Sequence, residues 1–295
     1  MKLVVLIAAH KNENQLNRLI LALTHPDIRI YIHLDKKSRI DAANLYPEAR
    51  ILSKSINVTW GTFSQVESTV NSLKEIIENE PDFDYLALIS GQDYPIITPD
   101  TMLTFLSENR GKELIDYDTL DHNGWYKARI RFERFYFVSY NNLFIRFTGR
   151  ILTFFCDKIR WKRTFYRGML PYGGPSWWTL SNDCIQYILK FSDTHKGFNR
   201  FMKKTIHADE IFFQTIVMNS IFKDRTLHNN FRFVKWIKTK GTANPSVLVK
   251  TDFQEIVNSQ KHFARKFDIE TDAHILDLID EHLLKKKTDS GKFVS

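Results

Sequence analysis

The feature that most constrains this chain is an alternation over its first 118 residues. Short, continuously apolar runs take turns with amphipathic stretches. KLVVLIAA (2–9), IRIYIHLD (28–35) and FDYLALIS (83–90) are β-rich and apolar on both faces of the pleat, as strands covered on both sides require. Between them, NENQLNRLILALT places Leu16, Leu19, Ile20 and Leu23 at helical spacing, and SQVESTVNSLKEIIEN (64–79) does the same with Val66, Val70, Leu73 and Ile77. PDTMLTFLSEN (99–109) reads as a helix with Pro in its first turn, and KELIDYD (112–118) as a fourth strand. The pattern predicts βαβ units, hence an α/β fold with a mainly parallel central sheet and flanking helices. Ligands of such sheets bind beyond the carboxyl ends of the strands. There the sequence offers His10, Asp35, Ser90-Gly91-Gln92-Asp93 and Asp116 with Asp118.

The second half is more mixed. PYGGPSWWTLS (171–181) is a Gly-rich loop running into a strand, and SNDCIQYILKFSD (181–193) is a helix capped by Ser or Asn. HADEIFFQTIVMNS (207–220) reads as one helix with acidic residues in its first turn. NFRFVKW (230–236) is a strand, 251–259 and 272–284 are helices, and 285–295 is a solvated tail. The 295 residues are expected to form one domain, with 1–118 as a nucleotide-fold half and 119–284 as a second half.

Apolar residues make up 43% and charged residues 26%, the proportions of a globular chain with a real core. No stretch approaches the roughly 20 apolar residues of a membrane span. The first strand has too few apolar residues, and no cleavage pattern, for a signal peptide. Two cysteines, Cys156 and Cys184, make neither a disulfide framework nor a four-ligand zinc site. They point to core thiols and a cytoplasmic setting.

The positive charge is local. Net charge is +8, and residues 121–170 hold 11 Lys/Arg against 3 Asp/Glu. That segment therefore carries the entire net charge, together with 14 aromatics. Within 141–167, Leu143, Phe147, Ile151, Phe154 and Phe155 form an apolar stripe, with Arg146, Arg150, Lys158 and Arg160 elsewhere on the helix. Such a helix suits an anionic membrane surface. The competing expectation is a helix packed on the core with solvated cations. No nucleic-acid motif accompanies the basic segment, so nucleic acid is not an expected partner.

The usual phosphate cradles are missing: no GxGxxG follows the first strand and no GxxxxGK[ST] occurs. HExxH and GxSxG are absent too. IDYD (115–118) offers two carboxylates that could hold a divalent metal. In HADE (207–210), Asp209 and Glu210 sit where a helix begins, which favours their anions. A Glu held there could accept a proton from a sugar hydroxyl, although plain first-turn capping explains it as well.

Taken in order, AAHKNENQLNRLILAL, YIHLDKKS, VTWGTFSQVEST, LISGQDYPI, GPSWWTLS, HADEIFFQTIVMNS, FRFVKW and HFARKFD resemble the core-2/I-branching β-1,6-N-acetylglucosaminyltransferases and the related peptide O-xylosyltransferases. The likeness spans nearly the whole chain. It implies a GT-A-like fold and an inverting transfer from a UDP-sugar, with GlcNAc the first sugar expected, to a glycan or lipid-linked glycan. It implies Glu210 as general base and no metal or other cofactor, with Arg232 and Lys266 neutralising the leaving diphosphate. His10, Asp35, Lys37, Trp60 and Gly61 fall in the donor site. Asp116, Asp118, Lys127, Arg129, Arg131, Ser176, Trp177 and Trp178 fall on the acceptor side. Ser176 stands where xylosyltransferases carry an acidic residue, which favours the branching-enzyme pattern. Two other readings remain: a metal-dependent enzyme using Asp116 and Asp118, and a glycan-binding module without turnover. The resemblance, lacking an anchor or disulfides, implies a bacterial-type member, cytoplasmic or peripheral on the inner face of the membrane.

Overall fold

A computed structural model describes residues 1–120, 129–136, 143–159, 161–239 and 242–285. Lys127, Arg160 and the tail beyond Lys285 lie outside the described residues. The first half runs β1 (Leu3–Ala9), α1 (Glu13–Leu23), β2 (Ile28–Leu34), β3 (Ala49–Ile51), α2 (Ser64–Asn79), β4 (Tyr85–Ser90), β5 (Asp93–Pro95), α3 (Pro99–Glu108) and β6 (Asp118–Thr119). The second half runs α4 (Ile130–Glu133), α5 (Leu143–Lys158), β7 (Tyr172–Gly173), β8 (Trp178–Ser181), α6 (Asn182–Thr194), α7 (Lys196–Met202), α8 (Phe212–Met218), β9 (Arg232–Val234), β10 (Trp236–Thr239), β11 (Thr242–Pro245), α9 (Phe253–Asn258), β12 (Phe263–Arg265) and α10 (His274–His282).

The central sheet has the order β3-β2-β1-β4-β8. Strands β1 to β4 are parallel, and β8 closes one edge antiparallel to β4. Alternation along β1 explains why its run is apolar throughout. Leu3, Val5 and Ile7 enter one core with Leu16 and Leu19 of α1 and Ile275 and Ile279 of α10. Val4 and Leu6 enter a second core with Val66 and Leu73 of α2, Ile185 of α6 and Phe212 of α8. Helices thus cover both faces, the arrangement the alternation predicts. Because β2 and β4 lie on opposite sides of β1, their carboxyl ends diverge there and open the crevice at which such sheets bind ligands.

Three sequence expectations need correction. Residues 112–118 are not a fourth parallel strand. Glu113 and Leu114 make single bridges, to Thr226 and Thr179, and only Asp118–Thr119 joins a ladder, with β7. The reason is that β8 takes the place beside β4, while the buried Glu113 carboxylate accepts hydrogen bonds from the Ser181 N–H and hydroxyl. HADEIFFQTIVMNS is not one helix either. A single 3-10 turn over Ala208–Glu210 stops at Ile211, and α8 begins after it. NFRFVKW is not one strand: β9 ends at Val234 and belongs to a separate sheet of order β5-β12-β9, and β10 begins at Trp236 and pairs with β11.

Candidate active site

The HADE turn is held by a local scaffold. His207 adopts a left-handed backbone (φ 50°), and its N–H donates to the Gly61 carbonyl at 2.9 Å. Gly61 sits at φ +74°, and a Cβ there would lie 3.2 Å from the His207 ring. Both conditions call for glycine. Trp60 is 77% exposed and stands edge-on to His207, with ring centroids 4.6 Å apart. Burial pushes the His207 imidazole below its ordinary pKa, against the pull of Glu210.

Asp209 and Glu210, neighbours in sequence, part company here. The Asp209 Oδ2 accepts from the Ser176 hydroxyl at 2.6 Å and from Gln65 Nε2 at 3.0 Å, while its Oδ1 is buried without a hydrogen bond. Burial and the adjacent Glu210 charge raise its pKa to about 6. The Glu210 carboxylate instead is half-buried and pairs with Arg131 of α4. The Gly174 N–H donates to the Glu210 carbonyl at 2.8 Å. A Cβ on Gly174 would strike the Asp116 carbonyl, so the loop can only approach this closely without a side chain. Gln214 and Thr215 of α8 bind the same loop, at the Pro175 carbonyl and at Tyr172.

Trp177 and Trp178 face different environments. Trp178 is buried at 1% exposure against Phe213 and belongs to the core. It offers no wall to a sugar, which corrects its sequence-based placement among the acceptor residues. Strand alternation explains the split: Trp178 opens β8 and must point inward. Trp177 lies under two guanidiniums, Arg265 at 4.6 Å and Arg232 at 5.7 Å from its ring centre. Both also approach the buried Asp93 carboxylate, Arg232 Nε at 3.3 Å and Arg265 Nε at 3.7 Å. Nε and Nη1 of both arginines are buried without hydrogen-bond partners. One carboxylate facing two guanidiniums leaves a surplus positive charge. Burial lowers the Arg232 pKa to about 10. Unpaired buried donors around a surplus cation suit an anion.

The guanidinium beside Arg232 is thus that of Arg265, the chain neighbour of the Lys266 that the resemblance implies. The β9–β12 register and the period of two supply the missing signal: Arg265 shares a face with Phe263, which lies opposite Arg232. Lys266 instead lies near His10. Burial, then the neighbouring charges of Lys11, Lys266 and Lys37, hold the His10 imidazole below its usual pKa. This second group lines the β1 and β2 ends. The Asp35 carboxylate accepts from the backbone N–H groups of Lys37 and Val58, and Lys37 Nζ donates to the Val58 carbonyl. An open cleft of about 370 Å³ lies beside it, lined by His10, Lys11, Asn12, Glu13 and Lys37 among others.

Asp116 and Asp118 differ in environment. Asp118 is exposed on β6. Asp116 is half-buried, takes a hydrogen bond from the Asn230 backbone and has its pKa raised by burial. Among the described residues, no three His, Cys, Asp or Glu side chains gather as metal ligands would. Arg129, just before α4, bonds Glu133 at 2.8 Å.

Comparison with known proteins adds what geometry alone does not. The family profile described as Core-2/I-Branching enzyme matches residues 5–257. Xylosyltransferase 2 of Rattus norvegicus is 25% identical over 304 residues, covering 95% of this chain and 33% of the relative. Xylosyltransferase 1 of Rattus norvegicus is 25% identical over 304 residues, covering 95% and 35%. Xylosyltransferase 2 of Homo sapiens is 25% identical over 294 residues, covering 91% and 32%. The chain therefore spans about one third of the length of these relatives. A profile that covers most of the chain, on an α/β fold of the expected GT-A-like type, leaves one conclusion. The protein belongs to the Core-2/I-branching enzyme family of glycosyltransferases.

Proposed function

We propose that the protein transfers a sugar, GlcNAc in the first instance, from a UDP-sugar to a hydroxyl of a glycan, with inversion and without a metal. One observation carries the reading. The loop 174–177 lies against both the HADE turn and the arginine pair. Its Gly174 N–H holds the Glu210 carbonyl, its Ser176 holds Asp209, and its Trp177 lies under the Arg232–Arg265 pair. The turn that carries Glu210 and the arginine pair are thereby tied to one short, glycine-bearing segment.

In this reading the Glu210 carboxylate removes the proton of the acceptor hydroxyl as its oxygen attacks the anomeric carbon. The bond to UDP breaks on the opposite side, which inverts that centre. The leaving diphosphate meets fixed positive charge, from the Arg232–Arg265 pair or from Lys266 beside His10, and needs no reorganisation as its charge develops. Arg131, paired with Glu210, keeps the carboxylate aimed until the acceptor arrives. Trp60 and the cleft beside His10, Asp35 and Lys37 receive the nucleoside.

Two measurements test this. Thermal shift with a panel of UDP-sugars, including UDP-GlcNAc and UDP-xylose, reads the donor; a ligand at a hundred times its Kd adds about 2.7 kcal/mol. Xylose belongs in the panel because the relatives above are named for it. Glu210→Gln should then lower kcat by roughly 10²–10⁴ and leave UDP affinity unchanged. Near-normal turnover in that variant, or no stabilisation by any UDP-sugar, overturns the proposal.

A further inference from the structure

Among the described side chains of helix α5, the buried ones are small: Gly149 and Cys156 are buried, with Thr153 half-buried between them. The described bulky apolar ones face water. Phe147 is 65% exposed, Phe154 56%, Phe155 59% and Ile159, just past the helix, 69%. Ile151 and Leu152 are exposed beside them. The expectation that this stripe packs on the core is therefore overturned for these residues. Isolated exposed apolar side chains are ordinary, but a contiguous aromatic patch marks an interaction surface.

Both ends of this excursion are clamped at one place. The Arg163 N–H donates to the Glu133 carbonyl at 2.8 Å, and its guanidinium binds the Phe201 and Lys204 carbonyls at 2.6 and 2.7 Å. Trp161 packs on Phe135 at 4.9 Å. Glu133 lies two residues beyond Arg131, the partner of Glu210. The helix is thus a projection rooted beside the catalytic carboxylate.

Charge decides what the projection meets. Residues 121–170 carry the whole net +8 of the chain, and Lys158 sits over the Phe154 ring at 5.5 Å. Aromatics outward with cations among them match the surface of an anionic bilayer: apolar groups reach the acyl boundary and cations stay at the headgroups. Each Lys or Arg near such a leaflet strengthens binding by about fivefold. We propose that α5 docks the protein on an anionic lipid surface and so presents the Glu210 site to acceptors held there. The second clause rests on the glycosyl-transfer reading; the docking itself does not.

Co-sedimentation tests it, with phosphatidylcholine vesicles and with vesicles of roughly 30% phosphatidylglycerol, at about 0.05 M and about 0.5 M salt. Wild type should pellet with anionic vesicles at low salt and release at high salt. Phe154→Ser/Phe155→Ser should weaken this at least tenfold, as should replacing Arg146, Arg150, Lys158 and Arg160 by Gln. Both side chains of the serine double variant are solvent-facing, so its fold should survive, with thermal unfolding and UDP release on a soluble acceptor unchanged. The assay needs no donor or acceptor, so its failure speaks only to the docking surface. No pelleting at low salt, equal pelleting with neutral vesicles, or indifference to both variants overturns the proposal. Wild-type dimerisation abolished by the serine variant, without vesicle binding, overturns it in favour of a second copy of the chain.

Discussion

Asp209→Asn should stabilise the protein at neutral pH, although Asp209 lies beside the proposed base. The carboxyl is buried, and its pKa rises to about 6 in the folded state, against about 3.9 for an unperturbed Asp. Between those values the folded chain binds more protons than the unfolded one, so stability falls as pH rises through that window. Above it the full penalty is present, about 2 pKa units or roughly 3 kcal/mol. Asn keeps the shape and remains neutral. Its side-chain oxygen can still accept from Ser176 and Gln65, and its amide takes the place of Oδ1, which has no hydrogen bond in the wild type either. The variant should therefore match wild type near pH 4 and exceed it by up to roughly 3 kcal/mol at pH 8. For 295 residues, unfolding entropy near 0.6 kcal/mol/K turns this into about 5 °C in Tm. Denaturant melts of both proteins at pH steps from 4 to 8 measure the difference. A variant less stable at pH 8, or a difference that does not change with pH, refutes the argument that Asp209 is an ionised group held against its preference.

Lys266→Ala should weaken UDP by about tenfold or more, the scale of a lost charged contact, and leave uridine nearly unchanged; equal loss for both ligands in calorimetry would mean a damaged fold. Arg232→Ala should lower the denaturation midpoint through the space left by a buried side chain packed on Trp177 and Phe263, while Arg265 still faces Asp93. Activity should survive EDTA, and Asp118→Asn should raise the acceptor KM above any change in donor KM; activity abolished by EDTA and restored by Mn²⁺ would assign Asp116 and Asp118 to a metal. Gly61→Ala should cost about 1–3 kcal/mol, since it strains a positive φ and its Cβ would press on His207 at 3.2 Å. The loss should appear in thermal unfolding, and turnover should fall with it through the displaced HADE turn.

Much of this protein is written in its local sequence. Runs such as KLVVLIAA are apolar at every position because both faces of the sheet are covered, so the sandwich of helices around a parallel sheet follows from periodicity alone. The ends of those strands likewise point to His10 and Asp35, because a parallel sheet binds ligands there. Glu210 is legible as an acidic residue where a helix begins, and the resemblance implies its role. Periodicity says which residues share a face, but not what covers that face. Trp177 and Trp178 are adjacent and chemically alike; only the antiparallel placement of β8 sends one into the core and the other beneath two arginines. Asp209 and Glu210 are equally acidic, yet contacts from Gln65 and Ser176, 144 and 33 residues away, bury one and leave the other to Arg131. Arg265 meets Arg232 through a strand pairing of segments about 30 residues apart in sequence. The apolar stripe of α5 reads in sequence either as a core stripe or as a membrane-facing surface, because an amphipathic pattern is the same whether its apolar side meets protein or water. Long-range packing makes that choice, and here it turns Gly149 and Cys156 inward and leaves Phe147, Phe154 and Phe155 outside.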